Sequence, residues 1–367
     1  MVRSGNLCDL IGLLVREGGS DLHLKVGSPP VIRARGLLTR VEEHGVLDLP
    51  DTEATLREII PKTLIEDFEQ IGEADFSYTT EQGRFRVNTF RQRGAVSITM
   101  RYVPFEIPEF EELGLPEAIR KLAFEERGIV LITGTTGSGK STTLASMINL
   151  INHTMPKHVV TIEDPIEFLH TDDKSIINQR EVGTDTASFT RALRRVLRQD
   201  PDVILVGEIR DAESAQMALS AAETGHLVLT TLHTVDATET INRLIDLSPP
   251  HERYQVRTML AGTLKGIVGQ RLIRTKDGNR TPACEVMVTT GRIRDFIMDP
   301  AQTGQIEQAI SEGEYYGMQT FDQALLKLVE EDRVDYEEAI RVASRPQDFR
   351  LMVYGLGREE DAGESRD

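Results

Sequence analysis

Eight consecutive residues, Gly134-Thr135-Thr136-Gly137-Ser138-Gly139-Lys140-Ser141, follow the pattern G-x-x-x-x-G-K-[ST], with Thr142 next in the same turn. Glycines let such a loop fold back until successive backbone N–H groups point at one anion. The helix that follows turns its positive dipole end to the same place. Lys140 supplies a point charge for the terminal phosphates of a nucleoside triphosphate such as ATP, and Ser141 a hydroxyl for Mg2+. The apolar run GIVLITG leads directly into the loop and a helical stretch leaves it, which is the context this chemistry needs.

A phosphate loop holds nucleotide, but cleavage also needs acids at the ends of neighbouring strands to position metal and water. Two such ends occur. Asp202-Val-Ile-Leu-Val-Gly-Glu208 is an apolar strand closing on a carboxylate, and Thr161-Ile-Glu163-Asp164-Pro165 is a second acidic exit, with proline forcing the chain out of the sheet. Ser141 and Glu208, partly through water, are the expected holders of Mg2+, with Asp164 a further candidate. An ordinary strand-to-helix cap is the competing account of each acid. His226 and His233 bracket the strand LVLTTL. Alone, such histidines are more often core or capping groups, but beside a phosphate loop they become candidates for sensing a γ-phosphate. The remaining histidines show no metal-ligand spacing.

Arg84, Arg86, Arg91, Arg93 and Arg101 fall within 18 residues that contain no acidic side chain. A solvated sheet face is one account. The functional account makes them charge-stabilising fingers for a triphosphate bound elsewhere, in this chain or in a neighbouring subunit.

These residues need a scaffold. At 367 residues the chain is long enough for two or three domains. Leu7, Leu10, Ile11 and Leu14 repeat at helical spacing and DLHLK alternates like a strand; Pro30 to Val41 reads as a hairpin. Asp51 to Gln70 reads as helix interrupted near Pro61, and Ala74 to Val103 as strands turning at Gln82-Gly83 and Arg93-Gly94. This predicts a small α+β domain over residues 1–103. The proline-rich acidic stretch 104–116 reads as a linker and candidate hinge. Apolar runs then alternate with helical stretches, predicting a parallel sheet covered by helices over 117–290. Beyond Pro249-Pro250 the reading is mainly helical, with a helical subdomain over 291–355 whose stripe is Phe321, Leu325, Leu328 and Val329, and a frayed acidic tail over 356–367.

Composition narrows the function. The 42 basic and 59 acidic side chains leave a net charge of −17, which opposes nucleic-acid binding through bulk charge, and there is no tryptophan for base stacking. A nucleic-acid translocase is therefore the weaker reading, and no nucleic-acid partner is expected. Cys8 and Cys284 lie too far apart to form a paired-cysteine metal motif. No apolar run reaches the length of a membrane span, so a cytoplasmic protein peripheral to a membrane is expected.

The boxes GTTGSGKST, TIEDPIEF, DPDVILVGEIRD and AETGHLVLTTLHT, in this order, resemble the secretion ATPase superfamily, specifically the PilT-like motor ATPases of type IV pili. GGSDLHLKVGSPP and GRFRVNTFRQRGAVSITMRYVP resemble that family's small PAS-like N-terminal domain. The resemblance implies a RecA-like P-loop core, ATP hydrolysis and a ring of six chains. It also implies action on an inner-membrane platform protein to move pilin, with a paralogous motor as a further partner. It assigns Lys140 and Ser141 to Walker A, Glu163 and Asp164 to the Asp box, Glu208 to Walker B, and His226 and His233 to the His box. Arg86, Arg93 and Arg101 fall in the segment that supplies phosphate-sensing arginines. Retraction is the expected role, and an accessory PilU-like ATPase the alternative. The four-cysteine zinc insertion typical of pilus-extension and type II secretion ATPases is absent, so such a motor is the less favoured alternative. Gln305 to Glu312 lacks the arginines of the retraction ATPases' corresponding C-terminal helix.

Overall fold

The computed structural model describes residues 5–34, 36–103 and 107–363, with side chains described between 7 and 355. The chain divides into two compact units, Met1–Glu106 with Glu167–Leu169, and Ile107–Ile166 with His170–Asp367.

In the first unit β1 (Gly19–Lys25), β2 (Val31–Ala34), β3 (Leu37–Arg40), β4 (Glu73–Thr80), β5 (Gly83–Gln92) and β6 (Ala95–Val103) form a sheet in the order β3-β2-β1-β6-β5-β4. Every neighbouring pair is antiparallel. Leu7, Leu10, Ile11 and Leu14 form one stripe of the helix Gly5–Arg16 and are buried with Leu22, Leu24, Phe85, Val87, Ile98 and Met100 from the sheet. A stripe of period 3.6 thus meets a face of period 2. The helix Leu49–Ile59 starts at Asp48, whose side chain accepts from Asp51 N at 3.0 Å, and Pro61 separates it from Ile65–Ile71. Such a cap contributes about 1 kcal/mol.

In the second unit β7 (Gly128–Thr133), β8 (His158–Glu163), β9 (Ile176–Glu181), β10 (Val203–Val206), β11 (Leu227–Leu232), β12 (Leu264–Arg274) and β13 (Arg280–Val288) form a sheet in the order β13-β12-β7-β11-β10-β8-β9. All neighbours are parallel except β12 and β13. Strands β7, β10 and β11 are buried along their whole length because helices cover both faces. The helix Lys140–Thr154 packs Leu144, Met147, Ile148 and Ile151 on one face. The helices Ala212–Glu223 and Ala237–Asp246 pack Ala215, Leu219, Ile241 and Leu244 on the other.

The stretch after Pro249-Pro250 is mainly helical, as the sequence predicts, but between the helices Arg253–Thr263 and Gly291–Met298 the hairpin β12–β13 joins the sheet, which is therefore mixed rather than purely parallel. Glycines mask the strand pattern in GIVGQRLI. A Cβ at Gly266 would lie 2.7 Å from Leu122, and one at Gly269 would lie 2.9 Å from Phe321, so packing, not flexibility, demands glycine there.

The helix Phe321–Glu330 begins at Thr320 in a capping box with Gln323, and Phe321, Leu325 and Leu328 are buried. Leu325 and Leu328 join Ile273, Ala283 and Phe349 in one cluster. Arg271 lies over the Phe321 ring at 4.0 Å and donates to Val342 O at 2.7 Å. The last helix, Pro346–Gly363, continues through 356–363, where a frayed tail is expected from composition; residues 364–367 lie outside the described residues. Of the expected linker, 104–106 also lie outside them, and Phe110–Leu113 form a short helical turn. No helix among the described residues is long and apolar enough to cross a membrane.

Candidate nucleotide site

The parallel strands bring most candidate residues to one edge. β7 ends at Thr133 and opens the phosphate loop; β11 ends one residue before His233; β10 ends two residues before Glu208; β8 ends at Glu163. Carboxyl ends of parallel strands are where open α/β sheets bind ligands, because the chain leaves the sheet there without an intervening side-chain layer.

Gly134, Gly137 and Gly139 have φ of 142°, 80° and 92°, in the region that disfavours side chains. The loop therefore doubles back, and the helix Lys140–Thr154 starts immediately. Lys140 is only 8% exposed, and its Nζ donates to Gly134 O at 2.7 Å and Thr135 O at 3.0 Å, so its ammonium lies across its own loop. Ser138 Oγ is buried in the loop without a hydrogen-bond partner among the described residues. A buried hydroxyl is costly to leave unpaired, and a phosphate oxygen would satisfy it.

Glu208 is held from two sides. Arg210 Nε forms a close ion pair with its Oε1, and His233 Nε2 lies 3.1 Å from its Oε2. Arg210 also reaches Asp164 Oδ2 at 3.2 Å and so bridges the two acidic strand ends. Burial, reinforced by the charges of Lys140 and Arg210, holds the His233 imidazole below its ordinary value. The Glu208 carboxylate in turn supplies an acceptor for an Nε2–H of this ring. Glu163 Oε1 accepts from Thr161 Oγ1 at 2.6 Å and Gln179 Nε2 at 3.2 Å, which fixes its carboxylate.

The structure corrects the grouping of His226 with these residues. Leu227 pairs with Gly128 at the start of β7, whereas the phosphate loop follows Thr133 at its end. His226 thus lies roughly 16 Å away along the strands, where its Nδ1 contacts Ala221 O at 2.9 Å. In one chain it is a helix-end group.

The three singled-out arginines of the first unit do not converge. Arg86 and Arg101 are directly opposite in β5 and β6, while Arg93 sits in the turn after β5, roughly 20 Å further along. Arg101 Nε donates to Asp21 Oδ1 at 2.8 Å, so its charge is already met. Burial pushes the Asp21 carboxyl up, but hydrogen bonds from Arg101 and Ser20, with the Arg101 charge, bring it below its ordinary value. Arg86 is exposed and has no ion pair among the described residues.

A hydroxyl and one carboxylate, Ser141 and Glu208, make the donor set that Mg2+ takes when a triphosphate supplies its other oxygens. No group of three or more His, Cys, Asp or Glu able to hold a metal by themselves occurs among the described residues. Sequence reasoning missed three residues of this edge. Arg210 stood in plain sight two positions after Glu208, Gln179 lies on a strand that was not recognised, and Gln270 is an amide within an apolar run.

Residues 70–350 match the family described as Type II/IV secretion system protein. The chain is 43% identical over 345 residues to the type IV pilus retractation ATPase PilT of Pseudomonas aeruginosa, covering 94% of this chain and 100% of that one. It is 40% identical over 355 residues to the type IV pilus ATPase PilU of the same organism, covering 96% and 92%. A crystal structure of the pilus retraction motor PilT with bound ADP matches with a TM-score of 0.86 at 42% identity, covering 93% of this chain and 97% of that one.

Proposed function

The chain belongs to the type II/IV secretion system protein family, and from that membership we propose that it hydrolyses ATP to retract a type IV pilus. The observation that carries the reading is the shared sheet edge on which the phosphate loop, Glu208 and His233 stand together, in a chain that matches an ADP-bound retraction motor over nearly its whole length.

The loop's backbone N–H groups and the start of the helix Lys140–Thr154 receive the phosphates, and Thr135, Thr136, Gly137, Ser138 and Thr142 line or flank them. Lys140 exchanges two loop carbonyls for phosphate oxygens, a charge-assisted contact in place of neutral ones. Ser141 and Glu208 would hold Mg2+, with Asp164 near enough through Arg210 to share that role; when bound, the ion neutralises charge on the β- and γ-phosphates. Glu163 orients the attacking water, and His233 registers the γ-phosphate through its contact with Glu208. Arg86, with Arg93 and Arg101 as the other candidates, completes the site of a neighbouring copy in a ring of six. The ring docks at the cytoplasmic face of the inner membrane on a platform protein, which it turns as clefts close on ATP and reopen.

The test is phosphate release by the purified chain beside Lys140→Ala and Glu208→Ala, with twitching motility of cells carrying each variant. Turnover lost in both variants, together with lost retraction, is expected; a wild-type chain that neither binds nor cleaves ATP overturns the reading. The helix Ile306–Ser311, which buries Ile306, Ala309 and Ile310 and carries no arginine, favours a second reading as an accessory motor. Turnover that appears only with a paralogous ATPase would select it.

A further inference from the structure

We propose that Gln270 is a positioning residue of the phosphate loop, its carboxamide setting the separation between the loop's entry at Gly134 and its exit at Gly139. The proposal rests on the nucleotide reading of that loop. β12 pairs with β7 so that Gly269 stands opposite Thr133, and Gln270 is therefore the residue alongside the point where the loop leaves the sheet. It is 3% exposed, flanked along the strand by the buried Ile267, Val268 and Ile273. A buried amide in such surroundings is costly unless it is paired. Its partner is Thr143, itself 1% exposed, whose Oγ1 donates to Gln270 Oε1 at 2.8 Å.

Thr143 lies in the first turn of the helix that begins at Lys140, and its backbone N donates to Gly139 O at 3.0 Å. Strand β12 thus holds the helix start directly, without passing through β7. The same residue also touches both glycines of the motif. A Cβ on Gly134 would lie 2.4 Å from Gln270 O, and one on Gly139 would lie 2.7 Å from Gln270 Nε2. The spacing of the two glycines is therefore required on the protein side as well as on the ligand side. If the amide is lost, the helix start can shift away from β12, and Lys140 and Ser141 shift with it.

The experiment uses the full-length chain with a fluorescent ADP analogue and steady-state ATP turnover. Q270L and T143V are each expected to weaken ADP binding and raise the ATP KM about tenfold, the loss of one buried hydrogen bond with its partner left unpaired. T143S, which keeps the hydroxyl, is expected to bind like wild type. The double variant is expected to be no worse than either single one, because both remove the same contact. Folded Q270L and T143V with wild-type affinity and KM, or losses that simply add, overturn the assignment. A purely structural role would lower the melting midpoint and leave the affinity of the folded protein alone. Should Q270L not fold, T143V carries the test with T143S as its control: a fall in ADP affinity of about tenfold in T143V but not in T143S supports the assignment, and unchanged affinity in T143V overturns it. A wild type that binds ADP without cleaving ATP sinks the motor reading and leaves the binding comparison intact. Variants indistinguishable from an active wild type sink only the role of Gln270.

Discussion

His233 Nε2 stands 3.1 Å from Glu208 Oε2, and burial, with the nearby charges of Lys140 and Arg210, holds the imidazole that makes this contact below its ordinary value. The pair joins the end of β11 to the exit of β10. Its pH behaviour has a definite sign. A histidine whose folded value lies below the ordinary one gains its charge at lower pH than a free imidazole does. The acid limb of turnover should accordingly lie below the range in which an ordinary histidine titrates. His233→Asn should lower kcat about tenfold and abolish that acid limb. A kcat against pH profile for both proteins checks it; an unchanged acid limb in the variant removes His233 from the mechanism.

Glu208 carries the largest expected effect on turnover. Glu208→Gln keeps the shape and the contact with His233 but removes the charge. A loss of roughly 100- to 1000-fold in kcat, with ADP affinity nearly unchanged, is expected from losing one preorganised electrostatic partner. Single-turnover phosphate release at saturating ATP measures it directly.

Gly134→Ala tests the loop without touching a charge. The φ of 142° disfavours any side chain, and the new Cβ would also meet Gln270 O at 2.4 Å and Ser138 Oγ at 2.6 Å. The backbone strain alone costs on the order of 1–3 kcal/mol. Nucleotide binding should be lost. Titration of the fluorescent nucleotide decides the point, with circular dichroism confirming that the chain is still folded.

Glu285 predicts a stability effect away from the chemistry. It is buried on β13, where its Oε1 accepts from Ala237 N at 2.7 Å. Burial first, and then Asp236 and Glu307, push its carboxyl up from 4.5 to about 7, against the opposing Ala237 hydrogen bond and Arg271. Because the folded value exceeds the unfolded one, the folded chain binds this proton more tightly. Stability is therefore lost as pH rises from 4.5 through about 7. Glu285→Gln keeps the acceptor and removes the titration, so it should stabilise by up to about 3 kcal/mol at pH 8 and by almost nothing at pH 4. Urea unfolding at the two pH values is the check; equal effects at both would refute it.

The phosphate loop and the strand-end acids were legible because their signals are local: glycines at fixed offsets, and apolar runs that stop at a carboxylate. Lys140, Glu163, Glu208 and His233 all stand on the same sheet edge. What could not be read was register and sheet order. His226 and His233 look equivalent in sequence, seven residues apart on either side of a strand, and only the pairing of Leu227 with Gly128 shows that they occupy opposite ends. Likewise Arg86, Arg93 and Arg101 form one cluster in sequence, whereas the β5–β6 pairing sets Arg86 opposite Arg101 and leaves Arg93 at the far turn. The hairpin β12–β13 escaped because its glycines and its buried Gln270 and Glu285 answer to neighbours from distant parts of the chain, which no periodicity reports.

Consecutive residues of a strand face opposite ways, and β12 is gripped at two of them: Gln270 by the first turn of the loop's helix, Arg271 by the Phe321 ring and the Val342 carbonyl. The loop's helix and the helix Phe321–Glu330 are thus fastened to adjoining positions of one strand, with no loop between the two grips.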